Sequence, residues 1–241
     1  MRIEYDGTKF NGWQFQKNGV SVQEKIEKAI SKILKTRVKI VGSGRTDKGV
    51  HALAQCANFK IKKKILDEKK FLNSVNYFLN KNLITIIKLD KKNLNFHSRF
   101  SAKERTYEYV IINRNGNLSI DINKAWHVKK KMNMNLLKKG AKILEGKHDF
   151  STYRASSCSS KSPIKRINSI LVKKKGNKIS LVFKSKSFLQ NQVRSMVGCL
   201  KYLAEKKWSL IEFKRIHNSK KRSNCAPPAP ACGLYLKNIK Y

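Results

Sequence analysis

Acidic residues are scarce in this chain of 241 residues: 15 Asp and Glu stand against 54 Lys and Arg, a formal charge of +39. So one-sided a balance means self-repulsion unless a polyanion spreads along the surface. Nucleic acid is the natural partner for such a charge. The abundance of Lys, Asn and Ile throughout also fits compositional drift in the coding sequence, and a Lys-rich solvated face needs no ligand. Cysteine is sparse and unpatterned. Cys56, Cys158, Cys199, Cys225 and Cys232 form no Cys-x-x-Cys pair, and the five histidines are scattered. That spacing supports neither a disulfide framework nor a zinc site, and reduced thiols in a cytosol fit best. Long apolar runs are missing as well. The opening Met1-Arg2-Ile3-Glu4-Tyr5-Asp6-Gly7 has no signal core, and no stretch approaches membrane-spanning length. A soluble, cytoplasmic protein with no membrane partner is expected. Its 40% hydrophobic residues fall in periodic runs, enough for a real core, which argues against disorder throughout.

What is present is an alternation of strand and helix signals. Ser21-Val22-Gln23-Glu24 reads as a capping box, opening a helix with Val22, Ile26, Ala29, Ile30, Ile33 and Leu34 on its apolar face. A strand is expected over Val38–Val41, and an alternating stretch over His51–Ile61 puts Leu53, Ala57, Phe59 and Ile61 on one face. A helix carrying Phe71, Leu72, Val75, Phe78 and Leu79 and a strand from Ile84 to Leu89 follow. Thr106–Ile112 alternates as a strand, Leu136, Leu137, Ala141 and Leu144 mark a helix, and Lys175-Gly176-Asn177 reads as a hairpin turn. Val193, Met196, Val197, Leu200 and Leu203 give the longest amphipathic helix, and Trp208–Ile216 another. Ala226-Pro227-Pro228-Ala229-Pro230 cannot be helical and reads as an extended linker to a last strand, Gly233–Leu236. The pattern favours an α+β architecture of two similar halves, 1–100 and 101–241.

The stretch from Gly42 to His51 is the most informative part of the chain. A dinucleotide fingerprint needs a third glycine where the chain has Asp47, and a Walker loop ends in Gly-Lys followed by Ser or Thr, which is absent. A nucleotide cofactor is therefore disfavoured. What remains is a strand, a flexible turn, and an acid bracketed by Arg45 and Lys48. An acid in a turn commonly bonds its own nearby amides. In a basic protein that meets RNA, however, a carboxylate costs affinity and calls for some other use. Neighbouring cations favour its charged form, and an ionised carboxylate can be a nucleophile.

Gly44-Arg45-Thr46-Asp47-Lys48-Gly49-Val50-His51-Ala52 resembles the signature loop of the TruA-type tRNA pseudouridine synthases. Further blocks resemble that family in its order: Glu4-Tyr5-Asp6-Gly7 with Gly12-Trp13-Gln14, Ser21 to Glu24, and Phe96 to Ala102. Arg105-Thr106-Tyr107-Glu108-Tyr109, His148-Asp149-Phe150, Val193 to Gly198, and Ala226 through Leu236 complete the series. The resemblance implies two ferredoxin-like halves with their antiparallel sheets joined, helices on one face and a central basic cleft. It implies isomerisation of uridine to pseudouridine at positions 38 to 40 of the tRNA anticodon arm. Asp47 would act on the ribose so that the C1′–N1 bond breaks, and the uracil would turn and rejoin through C5. Tyr107 would lie against the base, Arg194 would pair with Asp47, and Arg45 would hold the nucleotide out of its stack. No metal or other cofactor is implied, and tRNA and a second copy of the chain are the expected partners.

Several of these residues also have plain structural readings. Tyr107 alternates with Tyr109 and could be strand core, and Arg194 could be a solvent-facing charge on an amphipathic helix. Trp13, Trp126 and Trp208 are expected in the core. The lysine runs 62–64, 129–131 and 173–175 read as solvated patches, and His51 and His97 are given no chemistry. The rival function is that of a non-catalytic RNA-binding protein, which has no use for an acid in its basic loop.

Overall fold

The computed structural model describes residues 1–61 and 65–241, so the first lysine run lies outside the described residues. The chain divides into two compact units: Met1–Lys103 with Tyr235–Tyr241, and Glu104–Leu234. Each is mixed α+β.

In the first unit, β1 (Arg2–Tyr5) lies between β3 (His51–Asn58) and β4 (Ile84–Lys88), antiparallel to both. The short β2 (Val41–Gly42) pairs antiparallel with the far end of β3, while β10 (Leu234–Lys240) runs parallel to its start. The order β4-β1-β3 therefore has a last neighbour drawn from the end of the chain. Helix α1 (Val22–Leu34) starts as its sequence dictates: the Ser21 hydroxyl accepts the Glu24 N–H at 3.2 Å. Val22, Ile26, Ala29 and Ile30 form its buried stripe, and Lys35 ends it in the left-handed region. Asp67 caps α2 (Glu68–Leu79), which buries Phe71, Val75 and Leu79 and packs on α1 and β4.

Two expectations fail locally. The strand foreseen over Val38–Val41 is reduced to Val41–Gly42. The single apolar face foreseen for His51–Ile61 is absent: Ala52, Ala54, Gln55 and Ala57 are all buried, while Leu53 is exposed. Small side chains let β3 be covered on both sides, so alternation stops reporting which face is inside.

The second unit has β5 (Glu104–Asn113), β9 (Lys178–Ser185), β8 (Ile164–Lys175) and β7 (Gly146–Asp149) in antiparallel succession, with β6 (Trp126–Val128) parallel to β5. The Gly176-Asn177 turn closes the β8–β9 hairpin, as its sequence foretells. Helix α3 (Met134–Leu144) packs on β8 and on α4 (Gln192–Ala204), and α5 (Leu210–Asn218) packs beside them. The proline segment is not a free linker. Ala226 and Ala229 are buried, and the Ala229 N–H donates to the Arg194 carbonyl of α4 at 3.0 Å. Trp13 is core, whereas Trp126 and Trp208 are half-buried; the runs 129–131 and 173–175 are exposed. Among the described residues no helix is long and apolar enough to cross a membrane.

Candidate active site

Asp47 sits in the loop that joins β2 to β3. The ladder between these strands continues one step beyond β2, where the Ser43 N–H donates to the Cys56 carbonyl at 2.8 Å. At the next residue a side chain takes over from the backbone. Gln55 is fully buried; its Nε2 donates to the Gly44 carbonyl at 2.7 Å and its Oε1 accepts the Gly44 N–H at 3.2 Å. The loop thus leaves the sheet from a fixed point.

Its far end is fixed by a turn. The Val50 N–H donates to the Asp47 carbonyl at 3.1 Å, with Gly49 at a φ of 76°, the left-handed value such a turn requires at its third position. Between these anchors, Thr46 is buried and shares a 2.8 Å hydrogen bond between its hydroxyl and that of Tyr5. The Thr46 carbonyl accepts the Trp13 N–H at 3.1 Å, and the Phe10 carbonyl accepts the Gly49 N–H at 3.3 Å. The segment from Phe10 to Trp13 therefore lies along the loop backbone, and Gly12 makes the approach possible: a Cβ there would stand 2.6 Å from the Thr46 carbonyl oxygen. His51 seals the base. It is buried, stacks on Tyr235 at 4.7 Å, and holds its Nδ1 within 3.1 Å of the Gly7 N–H and 3.3 Å of Asp6 Oδ1.

The consequence is a half-buried acid on a backbone held from both sides, with exposed Arg45 and Lys48 around it. Asp47 and Arg45 thus stand on one loop of the first unit. The same loop depends on Gln55, Tyr5 and Gly12, which the sequence reading gives no role. Gln55 could have been found: it is a long polar side chain inside the otherwise small and apolar run Ala52-Leu53-Ala54-Gln55-Cys56-Ala57.

The other two expected residues lie in the second unit. Tyr107 is on β5, buried, opposite Phe183 on β9 and edge-on to Phe188 at 5.2 Å. Its neighbour Tyr109 is fully buried and donates its hydroxyl to the Pro230 carbonyl at 2.7 Å; burial pushes this phenol well above its ordinary value. Arg194 is on the first turn of α4 and half-buried. Its Nε donates to the Ala229 carbonyl at 2.7 Å and its Nη1 to Asn191 Oδ1 at 3.2 Å. A planar fork pinned at two donors has few orientations left. Among the described residues no group of three His, Cys, Asp or Glu side chains is placed to hold a metal.

This loop, its order in the chain and the flanking blocks have close counterparts. The model of a family described as tRNA pseudouridine synthase matches residues 1–101 and 141–241. The chain belongs to the tRNA pseudouridine synthase family. A relative named tRNA pseudouridine synthase A, from Pelagibacter ubique (strain HTCC1062), is 52% identical over 239 residues, covering 99% of this chain and 97% of that protein. Relatives with the same name from Maricaulis maris (strain MCS10) and Afipia carboxidovorans are 42% and 38% identical over 241 residues, covering 100% of this chain and 96% and 98% of theirs. The tRNA pseudouridine synthase family match thus takes in the loop of Asp47, the helix of Arg194 and the closing strand. It leaves out residues 102–140, where Tyr107 lies.

Proposed function

We propose that this chain isomerises uridine to pseudouridine in tRNA, at positions 38 to 40 of the anticodon stem-loop, with Asp47 as the catalytic carboxylate. The observation that carries the reading is the Asp47 loop: an acid on an immobilised backbone, between two exposed cations, in a chain of this family.

The chemistry follows from what the residues can do. A uridine must first leave its stack, at a cost of a few kcal/mol. A ring such as Tyr107 returns roughly 1–3 kcal/mol by stacking on the base, so extrusion is nearly offset and the cations decide the balance. Arg45 holds the extruded nucleotide, and Arg194 adds a second guanidinium to the substrate-binding set. Cleavage of C1′–N1 leaves positive character on the sugar, which a carboxylate stabilises or traps. The uracil turns, C1′ bonds to C5, C5 gives up its proton and N1 gains one. Atoms and electrons balance within the nucleoside, so the reaction consumes no oxidant, reductant or nucleotide.

The finer structural reading goes with this. The order βαββαβ in the first unit, with β2 and β4 at opposite ends of β3-β1, fits a ferredoxin-like fold. We also place the enzyme in the cytoplasm, where tRNA is processed, as a homodimer. The test is incubation with an unmodified tRNA transcript and mapping of pseudouridine. Product at positions 38 to 40 is expected from the parent and none from Asp47→Asn, which still binds tRNA. Equal product from both proteins ends the assignment to Asp47, and a parent that makes none ends the enzymatic reading in favour of an RNA-binding protein.

A further inference from the structure

A cavity of about 720 Å³ opens on the first unit, away from the side chains assigned above. That volume lies in the range of small-molecule sites, roughly 300–1,000 Å³. Three cations line it, Arg37, Lys39 and Lys60, together with Phe59, Phe96 and His97; among the described residues no carboxylate does. All three cations are exposed, and none forms an ion pair among the described residues.

The aromatic wall is held in place. Phe59 stacks on Phe71 with centroids 6.5 Å apart, and Phe96 lies against Tyr241 at 5.1 Å. Both remain partly exposed. His97 is fixed by its own loop: its Nδ1 accepts the N–H groups of Arg99 and Phe100 at 3.2 and 3.3 Å. A neutral ring in that arrangement carries its proton on Nε2, so His97 brings a donor. The charged groups of the wall are thus all positive, its imidazole is a donor, and its apolar part is aromatic.

Resting on the tRNA reading above, we infer that this cavity is a second RNA contact, which takes a looped or unpaired stretch of the substrate outside the reacting uridine. Phosphates meet Arg37, Lys39 and Lys60, and a base lies against the phenylalanines. This combination of a cationic groove and aromatic faces is how single-stranded nucleic acid is held without sequence preference. Val41 on the cavity wall opens β2, which runs on into the Asp47 loop. Six residues of extended chain reach at most about 20 Å, so one tRNA can occupy both places.

The test is binding of an unmodified tRNA transcript over a series of salt concentrations. The variants are Arg37→Ala/Lys39→Ala/Lys60→Ala and, as a control of equal charge, Lys173→Ala/Lys174→Ala/Lys175→Ala. All six side chains are exposed, and circular dichroism checks that both variants fold. The cavity variant is expected to bind at least tenfold more weakly, with the slope of log affinity against log salt reduced by about two. The control is expected to lose less than threefold. Equal losses in the two variants would mean that bulk charge acts, and an unchanged affinity would mean that the cavity is idle; either overturns the proposal. So does a change in oligomeric state with tRNA binding intact, since the occupant is then a second copy of the chain. The two readings fail separately: a parent that makes pseudouridine beside a cavity variant with full affinity loses only the cavity. A parent that makes none, beside a cavity variant that binds poorly, loses only the enzymatic assignment.

Discussion

The buried side chain of Gln55 holds Gly44 by both of its backbone groups, donating to the carbonyl at 2.7 Å and accepting from the N–H at 3.2 Å. The same Oε1 also accepts the Cys56 N–H at 3.1 Å. In effect an amide side chain extends the β2–β3 ladder by one rung, where the backbone of the Asp47 loop has already turned away. Replacing it with an isosteric apolar group removes the rung and leaves polar groups without their partner, a loss of about 1–3 kcal/mol. For Gln55→Leu we expect that loss in urea unfolding and a single-turnover rate about a hundredfold lower, since a displacement of roughly 1 Å at a reacting group costs about that much. Affinity for tRNA is expected to hold. An unchanged rate would show that Asp47 is positioned without the clamp.

How much of this was legible beforehand depends on where each signal came from. Helix starts were legible because they are local: Ser21 and the Val22-Ile26-Ala29-Ile30 spacing specify α1 with no help from the rest of the chain. The hairpin at Gly176 was legible for the same reason. The short β2 was not, because Val38 and Ile40 are buried without a partner strand, their N–H groups donating instead to Ser31 Oγ and Glu27 Oε1, and hydrophobicity reports burial rather than strand pairing. Nor was the return of Tyr235–Tyr241 to the first unit, which is decided by a parallel pairing with β3 far upstream in the chain. At the site, Asp47 and Arg45 were marked by their own loop. The supports from Tyr5, Gly12 and Gln55 exist only once distant segments meet.

Gly12 offers a steric test of the same loop. Its φ is 101°, and a Cβ would stand 2.6 Å from the Thr46 carbonyl oxygen and 3.2 Å from the Asp47 carbonyl carbon. Gly12→Ala must push the loop aside as well as strain its own backbone, a cost of about 1–3 kcal/mol, and a steep fall in rate is expected with it. Gly176→Ala is the matched control. That glycine also has a positive φ, 56°, but faces open space on the β8–β9 hairpin. It should lose about 1–2 kcal/mol in stability and keep its rate. Parallel losses of rate in both variants would point to global destabilisation instead of displacement of the loop.

Asn191 breaks a local rule at α4. Asparagine before a helix ordinarily caps it, as Asn133 does for α3 at 3.0 Å. Asn191 instead has a φ of 61°, makes no cap, and accepts at its Oδ1 from Arg194 Nη1. A cap forgone beside a proposed substrate-binding arginine is the kind of local conflict expected at a working site. Asn191→Gly keeps the left-handed backbone and removes the side chain with its accepting oxygen, so stability should change by a few tenths of a kcal/mol at most. The rate or the Michaelis constant should worsen. Arg194→Lys goes further, losing the planar fork, and should be the more damaging of the two. If Asn191→Gly matches the parent in both constants, the orientation of Arg194 does not depend on Asn191.

His217 gives the second unit a pH dependence of defined sign. It lies on α5, buried against His148, Phe150 and Tyr153, and its Nδ1 has no hydrogen-bond partner among the described residues. Its pKa is lowered to about 4, chiefly by burial and next by the neighbouring His148, with Asp149 opposing both. An unfolded histidine titrates near 6.5, so between these values the unfolded chain binds a proton that the folded one refuses. The resulting stability is fully present above about pH 6.5 and is lost as the pH falls toward 4. Between pH 7 and pH 5 the loss should be about 2 kcal/mol, at roughly 1.4 kcal/mol per pKa unit, in a range where most carboxylates have yet to titrate. Urea unfolding of the parent and of His217→Phe at the two pH values checks it. The variant, which has no proton to refuse, should lose less than half as much as the parent, and an identical loss in both would place the titrating group elsewhere.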